Sequence, residues 1–484
     1  MKRPIKAYLL CLLISALAGS ARAGNVEPAR IQLWLSVTGT HLKLSHRSEI
    51  SASGKVVLPI NIAINLGKHY QTIVGFGAAV TDASAELIQH DMTPIQRSAL
   101  LRDLFGRSPG IGLSMLRLTI GASDFSPQRY SLDMVPKGRV DPDLTHFSVN
   151  RTLHTVIPTI KEAIAINPRL RLIASPWSPP AWMKTSDSLI GGTLLPQYQK
   201  TFVDYLLKYL EAYQRHKISI YALTLQNEPG FSPSTYPGMK MSASLRAHII
   251  SQYLGPALAK RKHKTLILDW DHNWNHPEQP LQVLADPNAS RYIAGVAWHC
   301  YEGNAKAQSL VHKAFPRKAA FLTECSDGEW DPVNSSGLVW LTRNILLDAT
   351  RNWARGVLFW NLALDAHHGP HLKGCDKCIG VVTIDRKTGD VTYNRDYYAL
   401  AHFSRFVRRD AVRVASSGTV SGVSNVAFQN KDHGSVVLVV VNEKPKPRKI
   451  SVNQSSISFQ YTMPPRSVAT FVWSPRYSRV RPGG

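Results

Sequence analysis

Two glutamates stand out by their place in the chain. Thr224-Leu225-Gln226-Asn227-Glu228-Pro229 and Phe321-Leu322-Thr323-Glu324-Cys325 each begin as a short β-forming run and end in a carboxylate, 96 positions apart. A carboxylate at the mouth of a buried strand is costly to desolvate unless something uses it. Two that face one pocket can divide the work. The protonated one serves a leaving oxygen while the ionised one attacks carbon. That is the equipment for breaking a glycosidic bond. We assign Glu228 as acid/base and Glu324 as nucleophile. Asn227 is placed to meet a sugar 2-hydroxyl, and Tyr301 to hydrogen-bond Glu324 and aim it. Alone, Asn-Glu-Pro is also an ordinary turn or helix-start signal. The second glutamate separates the two readings.

Elements that could position these groups recur through the middle of the chain. Eight strand candidates alternate with amphipathic helical patterns: Ile73–Phe76, Met115–Ile120, Leu170–Ser175, Ala222–Leu225, Leu266–Trp270, Gly295–His299, Ala320–Thr323 and Val357–Trp360. Eight such units predict an α/β fold, a parallel (β/α)8 TIM barrel with its helices outside and its reacting groups at the C-terminal strand ends. The competing doubly wound sheet expects a Gly-rich phosphate turn, which the sequence lacks. Read in order, the strand ends carry Asp124, Trp177, Asn227 with Glu228, His299 with Tyr301, Glu324, and Trp360. Indole faces stack on sugar C–H faces while carboxylates and amides bond hydroxyls. His299 is read as orienting the nucleophile or a sugar hydroxyl, with a structural role as the alternative. Asp269 and Asp271 are weak candidates for a cation and are expected instead to bond loops at the rim.

The flanks lack helical periodicity. Ile31–Val37 and Val56–Leu66 read as strands, as do Val412–Ala415, Val423–Phe428, Val436–Val441, Ile450–Val452 and Ala469–Trp473. They predict a side-attached β-sandwich built from both chain ends. The expected domains are 1–23, an export signal; 24–66, N-terminal strands joining the sandwich; 67–404, the barrel; and 405–484, the C-terminal sandwich and basic tail.

With 484 residues, 44% of them hydrophobic, the chain can bury a large core and is no disordered composition. Lys2, Arg3 and Lys6, the apolar run Tyr8–Ala18 and Ala21-Arg22-Ala23 read as a cleaved signal peptide. A secreted or periplasmic protein is expected. Removing 1–23 takes away four basic and no acidic residues, so the formal charge falls from +24 to +20. Such a surface can make peripheral contact with anionic polymers or membranes. Its cations do not gather into a nucleic-acid-binding motif. Cys375-x-x-Cys378 predicts a small disulfide loop, with a metal site that includes His367, His368 and His371 as the alternative. Cys300 and Cys325 are expected as buried small hydrophobes.

Val74-Gly75-Phe76-Gly77-Ala78-Ala79-Val80-Thr81-Asp82-Ala83, Ala174-Ser175-Pro176-Trp177-Ser178-Pro179-Pro180-Ala181-Trp182-Met183-Lys184-Thr185 and Gly356-Val357-Leu358-Phe359-Trp360-Asn361-Leu362-Ala363-Leu364, taken with the two glutamate segments, resemble glycoside hydrolase family 30 in its glucosylceramidase branch. The resemblance spans nearly the whole mature chain. It implies the barrel with a side-attached sandwich and retention of anomeric configuration. It also implies that Asp124, Trp177, Asn227, Tyr301 and Trp360 hold the non-reducing glucose, and that no metal or organic cofactor takes part. Cys300 replaces a bulky Trp of the glucosylceramidase pattern, and the Gly369–Gly380 loop resembles bacterial and fungal members. The first expectation is a secreted glucosylceramidase-like β-glucosidase acting on a β-glucoside, either glycolipid or glucan. Its rivals are an endo-β-1,6-glucanase or β-xylosidase of the same family and, in another class, an inactive carbohydrate- or membrane-binding protein.

Overall fold

The computed structural model describes residues 29–261, 264–330, 337–432 and 434–474. The export segment 1–23 and the basic tail Arg476–Arg481 lie outside them. Strands β1 (Arg30–Val37), β2 (Ser45–Ser51) and β3 (Asn61–Thr72) lead into β4 (Gly75–Val80), β5 (Met115–Ile120), β6 (Arg171–Pro176), β7 (Ile220–Thr224), β8 (Leu266–Asn273), β9 (Ile293–His299) and β10 (Ala319–Glu324). After the two-residue β11 (Asp327–Gly328), β12 (Ala354–Asn361) completes a closed barrel ordered β10-β12-β4-β5-β6-β7-β8-β9, parallel throughout.

All eight expected barrel strands are present. The largest boundary shift is in the first, which runs over Gly75–Val80 rather than Ile73–Phe76. Glycine is needed there for a close approach: a Cβ on Gly77 would lie 1.7 Å from the Met115 carbonyl oxygen of the neighbouring strand. Helix Gln199–Arg215 buries Phe202, Leu206, Tyr209, Leu210 and Tyr213, the residues whose spacing predicts it. Helix Ala243–Ile249 begins at a Ser242 cap that accepts from the Leu245 amide, then passes into a π turn over Ile250–Leu254. The helix that begins at Gly337 is likewise interrupted by a π segment, Leu341–Leu347, and resumes over Asp348–Arg351.

Four short strands follow the barrel: β13 (Ala363–Leu364), β14 (Cys378–Ile379), β15 (Val382–Ile384) and β16 (Val391–Tyr393). The sandwich strands are β17 (Val412–Ser416), β18 (Val423–Gln429), β19 (Val436–Asn442), β20 (Arg448–Gln454), β21 (Ile457–Met463) and β22 (Ser467–Trp473). With β1–β3 they run in the order β2-β1-β22-β19-β18-β17-β3-β20-β21, so both chain ends build this domain. The sequence reading omits β2, whose SHRSEIS has no apolar alternation and is mostly exposed. It also omits β21, although Ile457, Phe459, Tyr461 and Met463 do alternate.

β19 shows why the two domains hold together. Val436, Leu438 and Val440 face the sandwich core, while Val437, Val439 and Val441 join the barrel's outer core. A strand covered on both faces has no polar positions to spare, which accounts for the unbroken VVLVVV run. In the same seam His402 is fully buried between Thr470 Oγ1 and Ser36 Oγ, each 2.8 Å from a ring nitrogen. Burial pushes its pKa down from 6.5 to about 3. The native imidazole is therefore neutral where the unfolded one binds a proton. Its contribution to stability is fully present above pH 6.5 and is lost as pH falls from 6.5 toward about 3. The slope from this group is at most about 1.4 kcal/mol per pH unit. Thermal unfolding of H402Q across that window should show a shallower acid loss than the parent; an identical slope would remove His402 from the account.

Candidate active site

The barrel interior is layered by the period of two along each strand. One layer is apolar: Met115, Ile173, Ala222, Leu268, Ala297, Phe321 and Leu358. Two residues farther along β5, β6, β7, β9, β10 and β12 stand Arg117, Ser175, Thr224, His299, Thr323 and Trp360. The apolar plug thus gives way to a polar layer at the C-terminal mouth. On β8 the period breaks. Trp270 and Asp271 both have positive φ (77° and 55°), and the register shifts between Trp270 and His272. The bulge turns Asp271 inward, where alternation would have placed Trp270.

Arg117 and Asp271 form the centre. Both are fully buried. The guanidinium donates to Glu324 Oε2 at 2.5 Å, Asn227 Oδ1 at 2.7 Å and Asp271 Oδ2 at 2.8 Å. Asp271 also accepts from Ser175 at 2.6 Å, Thr224 at 2.8 Å, Thr323 at 2.6 Å and His299 Nε2 at 3.2 Å. These bonds hold its carboxyl well below the usual range despite burial. Asp271 therefore anchors the interior instead of bonding rim loops, because the bulge aims it inward. Asp269 points out of the barrel to the buried Arg246 at 2.8 Å.

Both glutamates reach this centre. His299 Nδ1 is 3.0 Å from Glu228 Oε1 and 3.9 Å from Glu324 Oε1. Two oxygens that near one nitrogen exclude the wide separation of about 9 Å at the upper end for water-activating pairs. Tyr301 donates its hydroxyl to Glu324 Oε1 at 2.9 Å. Glu228 sits at φ 47° and is pinned on both sides, its N–H to Asp271 O at 3.0 Å and its C=O by Phe231 N–H at 2.9 Å. A non-glycine residue held there is strained and persists because its surroundings over-determine it.

The charges differ between the two. Burial would raise Glu228, but the hydrogen bond and charge of His299 hold it down. Burial raises Glu324 against the pull of His299 and Arg117. The 2.5 Å contact with Arg117 and the Tyr301 donor nevertheless assign the ionised form to Glu324. Burial would lower His299; Glu324, Asp271 and Glu228 outweigh it and lift its pKa to about 9. The proton available to the pair thus sits in the Glu228–His299 bond.

Asp124, after β5, is raised to about 8 by burial and by the charges of Glu324 and Glu228. Trp177 and Trp360 stack at 5.1 Å with an 18° interplanar angle, and the Arg117 guanidinium lies 4.9 and 5.3 Å from their rings. All the residues expected at the site are gathered here; Cys375 and Cys378 are disulfide-bonded in the loop after β12, where Cys378 shares an apolar cluster with Trp177 and Trp360 and Cys375 packs against it. That loop is tied to the one after Glu324 by pairing of β11 with β14. Asn227 accepts from Arg117 on its amide oxygen, which fixes the direction in which its amide nitrogen can donate.

Cys300 and Cys325 are disulfide-bonded rather than separate small hydrophobes. His299 pairs with Glu324 across β9 and β10, so the next residue on each strand faces the other. The bridge thus lies between His299 and Tyr301 on one side and follows Glu324 on the other. Sequence reasoning also missed Arg117, Asp271 as anchor, and His272, whose Nδ1 is 3.6 Å from Glu228 Oε1. A lone arginine within Met115-Leu-Arg-Leu-Thr-Ile was the available signal, since an apolar strand tolerates no charge without partners.

A cavity of about 660 Å³ opens from Glu228, lined by Phe231, Lys240, His272, Asn275, Gln279 and Glu302 among others. A larger cleft of about 820 Å³, near Lys43 and Tyr398, contains neither glutamate.

Comparison with known proteins agrees with this geometry. Residues 73–407 match the glycosyl hydrolase family 30 TIM-barrel domain and 410–471 its beta sandwich domain. An endo-1,6-beta-D-glucanase of Neurospora crassa is 37% identical over 388 residues, 77% of this chain and 79% of its own length. The mouse lysosomal acid glucosylceramidase is 31% identical over 437 residues, 84% and 82% of the two chains. A solved endo-β1,6-glucanase superimposes with a TM-score of 0.85 at 31% identity, covering 92% of this chain and 99% of its own. A barrel whose strand ends bring two glutamates to one imidazole, joined to the matching sandwich, thus makes this chain a glycoside hydrolase of family 30.

Proposed function

We propose that this chain is a retaining hydrolase of β-1,6-linked glucan, with Glu324 as nucleophile and Glu228 as acid/base. Glu324 attacks the anomeric carbon to give a glycosyl ester, while the proton held between Glu228 and His299 passes to the leaving oxygen. Glu228 then takes a proton from water as that water displaces the ester. Trp177, Trp360, Asp124 and the Asn227 amide hold the non-reducing glucose. We also propose export through residues 1–23, a compartment in which two disulfides would persist.

The observation that carries the glucan assignment is the lining of the cavity at Glu228. The acid must stand on the leaving-group side, and that cavity presents Lys240, Asn275, Gln279 and Glu302. Such groups bond sugar hydroxyls; a lipid chain would strip water from them and return no hydrogen bonds, although Asn275 and Glu302 also bond each other. Phe231 and Tyr301, 46% and 43% exposed, supply aromatic faces. The glucanase relatives support the same reading. The glucosylceramidase relatives favour a second one, a β-glucosidase acting on glucosylceramide.

A substrate panel separates the two. Oligosaccharides should appear rapidly from β-1,6-glucan, with slow release from glucosylceramide, and proton NMR should show the β-anomer first. Glucosylceramide as the faster substrate would overturn the linkage assignment, and an initial α-anomer would overturn retention. Glu324→Gln should lower turnover by roughly 10⁴–10⁶-fold with folding unchanged. A binding protein without catalysis would show no turnover in the parent either. Replacing Cys300 and Cys325 together by Ala should cut kcat about 10–100-fold with a native circular dichroism spectrum, since the staple sets the Tyr301–Glu324 geometry. Unchanged kcat would make the bridge merely stabilising.

A further inference from the structure

Glu228, His272 and His299 form a cluster that the two-carboxylate reaction does not use in full. One ligand atom from each lies within 4.8 Å of the others. Glu228 Oε1 is 3.0 Å from His299 Nδ1 and 3.6 Å from His272 Nδ1. His272 Nδ1 is buried and makes no hydrogen bond among the described residues. Tetrahedral zinc, with bonds of about 2.0–2.1 Å, spaces its ligand atoms about 3.3 Å apart. Two edges of the triangle therefore already have the required length.

We propose that Glu228, His272 and His299 bind a divalent transition-metal ion of the zinc type, and that the bound ion switches hydrolysis off. Two imidazoles and one carboxylate are a donor set for zinc or copper, not for magnesium or calcium. The surroundings fit as well. His299 Nε2 faces Asp271 Oδ1 at 3.2 Å. With its hydrogen on Nε2, Nδ1 is free to ligate, and a carboxylate holds the ring from behind. The proton displaced from Nδ1 leaves to solvent. The fourth position opens into the 660 Å³ cavity that Glu228 and His272 line, where a water completes the shell. Gly230 leaves the His272 ring its place: a Cβ there would lie 3.1 Å from Cδ2.

Inhibition rests on the reading of Glu228 as acid/base; binding does not. An oxygen that ligates the ion carries no proton for the leaving group. It also cannot take one from water.

Isothermal titration of the full chain with Zn²⁺ tests the site without any substrate. One ion should bind with micromolar or tighter affinity. Co²⁺ should give the intense visible bands of tetrahedral coordination, bleached by Zn²⁺. H272Q and E228Q, each checked for folding by circular dichroism, should weaken Zn²⁺ binding by at least about tenfold. H146Q, which alters the separate His146–Asp141 pair, should not. No saturable binding below about 1 mM, or equal affinity in H272Q and the parent, would overturn the site. Zn²⁺ should also abolish turnover of β-1,6-glucan at the occupancy seen by titration. Binding that H272Q weakens but that leaves turnover intact would overturn the inhibitory role and the acid/base assignment of Glu228, with the site itself standing.

Discussion

A guanidinium with no solvent contact sits in the middle of the barrel, and the chemistry at its mouth depends on how that charge is compensated. Burying an unpaired Arg117 would be prohibitive. Asp271 and Glu324 supply two carboxylates, Asn227 an amide oxygen, and Trp177 and Trp360 two π faces. Removing one partner of such a pair typically costs about 3–5 kcal/mol, because the other charge is left buried. The ionised state of Glu324 and the burial of Arg117 are therefore one arrangement. Glu324 is kept charged by the same contact that makes the core tolerable.

Asp271 has the complementary position. Its two oxygens take donors from β5, β6, β7, β9 and β10. Five strands thus converge on one side chain, and its inward aim comes from two left-handed residues in succession. Neither is glycine, so the strain is borne by Trp270 and Asp271 themselves. Trp270 is turned outward by the same bulge, where Arg246 lies over its ring at 5.3 Å and also pairs with Asp269. A local irregularity in β8 is thereby fixed from inside and outside the barrel at once.

Much of this was legible from residue order. The eight strands are short apolar runs bounded by helical patterns, and burial on both faces makes them read clearly. The two glutamates, Tyr301, Asp124 and the tryptophans stand at strand ends, where the barrel's directionality gathers them. The period of two also carries from the apolar plug to Ser175, Thr224, His299 and Thr323. Other features were hidden for physical reasons. The bulge at Trp270–Asp271 breaks the period, so Asp271 read as a rim residue. The Cys300–Cys325 bridge needs the register of β9 against β10, a relation between strands that neither segment contains. The π segments at Ile250–Leu254 and Leu341–Leu347 add residues to helices whose 3.6 pattern otherwise reads through. β21 does alternate, at Ile457, Phe459, Tyr461 and Met463, but only Ser455 and Ser456 separate it from β20, so the two strands read as one run.

The centre of the barrel mouth and the cavity beside it are built under different constraints. At the barrel centre, Trp177, Trp360, Asn227 and Glu324 all touch Arg117. A change to any of them disturbs a buried charge and, on the proposed mechanism, a sugar contact as well. Around the open cavity, Phe231, Lys240, Asn275 and Glu302 lie in loops and Gln279 in the helix Glu278–Ala285, and none of them hydrogen-bonds Arg117 among the described residues. They can vary without unpairing Arg117. Divergence of substrate among relatives as similar as a glucanase and a glucosylceramidase is then expected to fall on the cavity side, because the charge at the barrel centre leaves its own contacts little freedom to change.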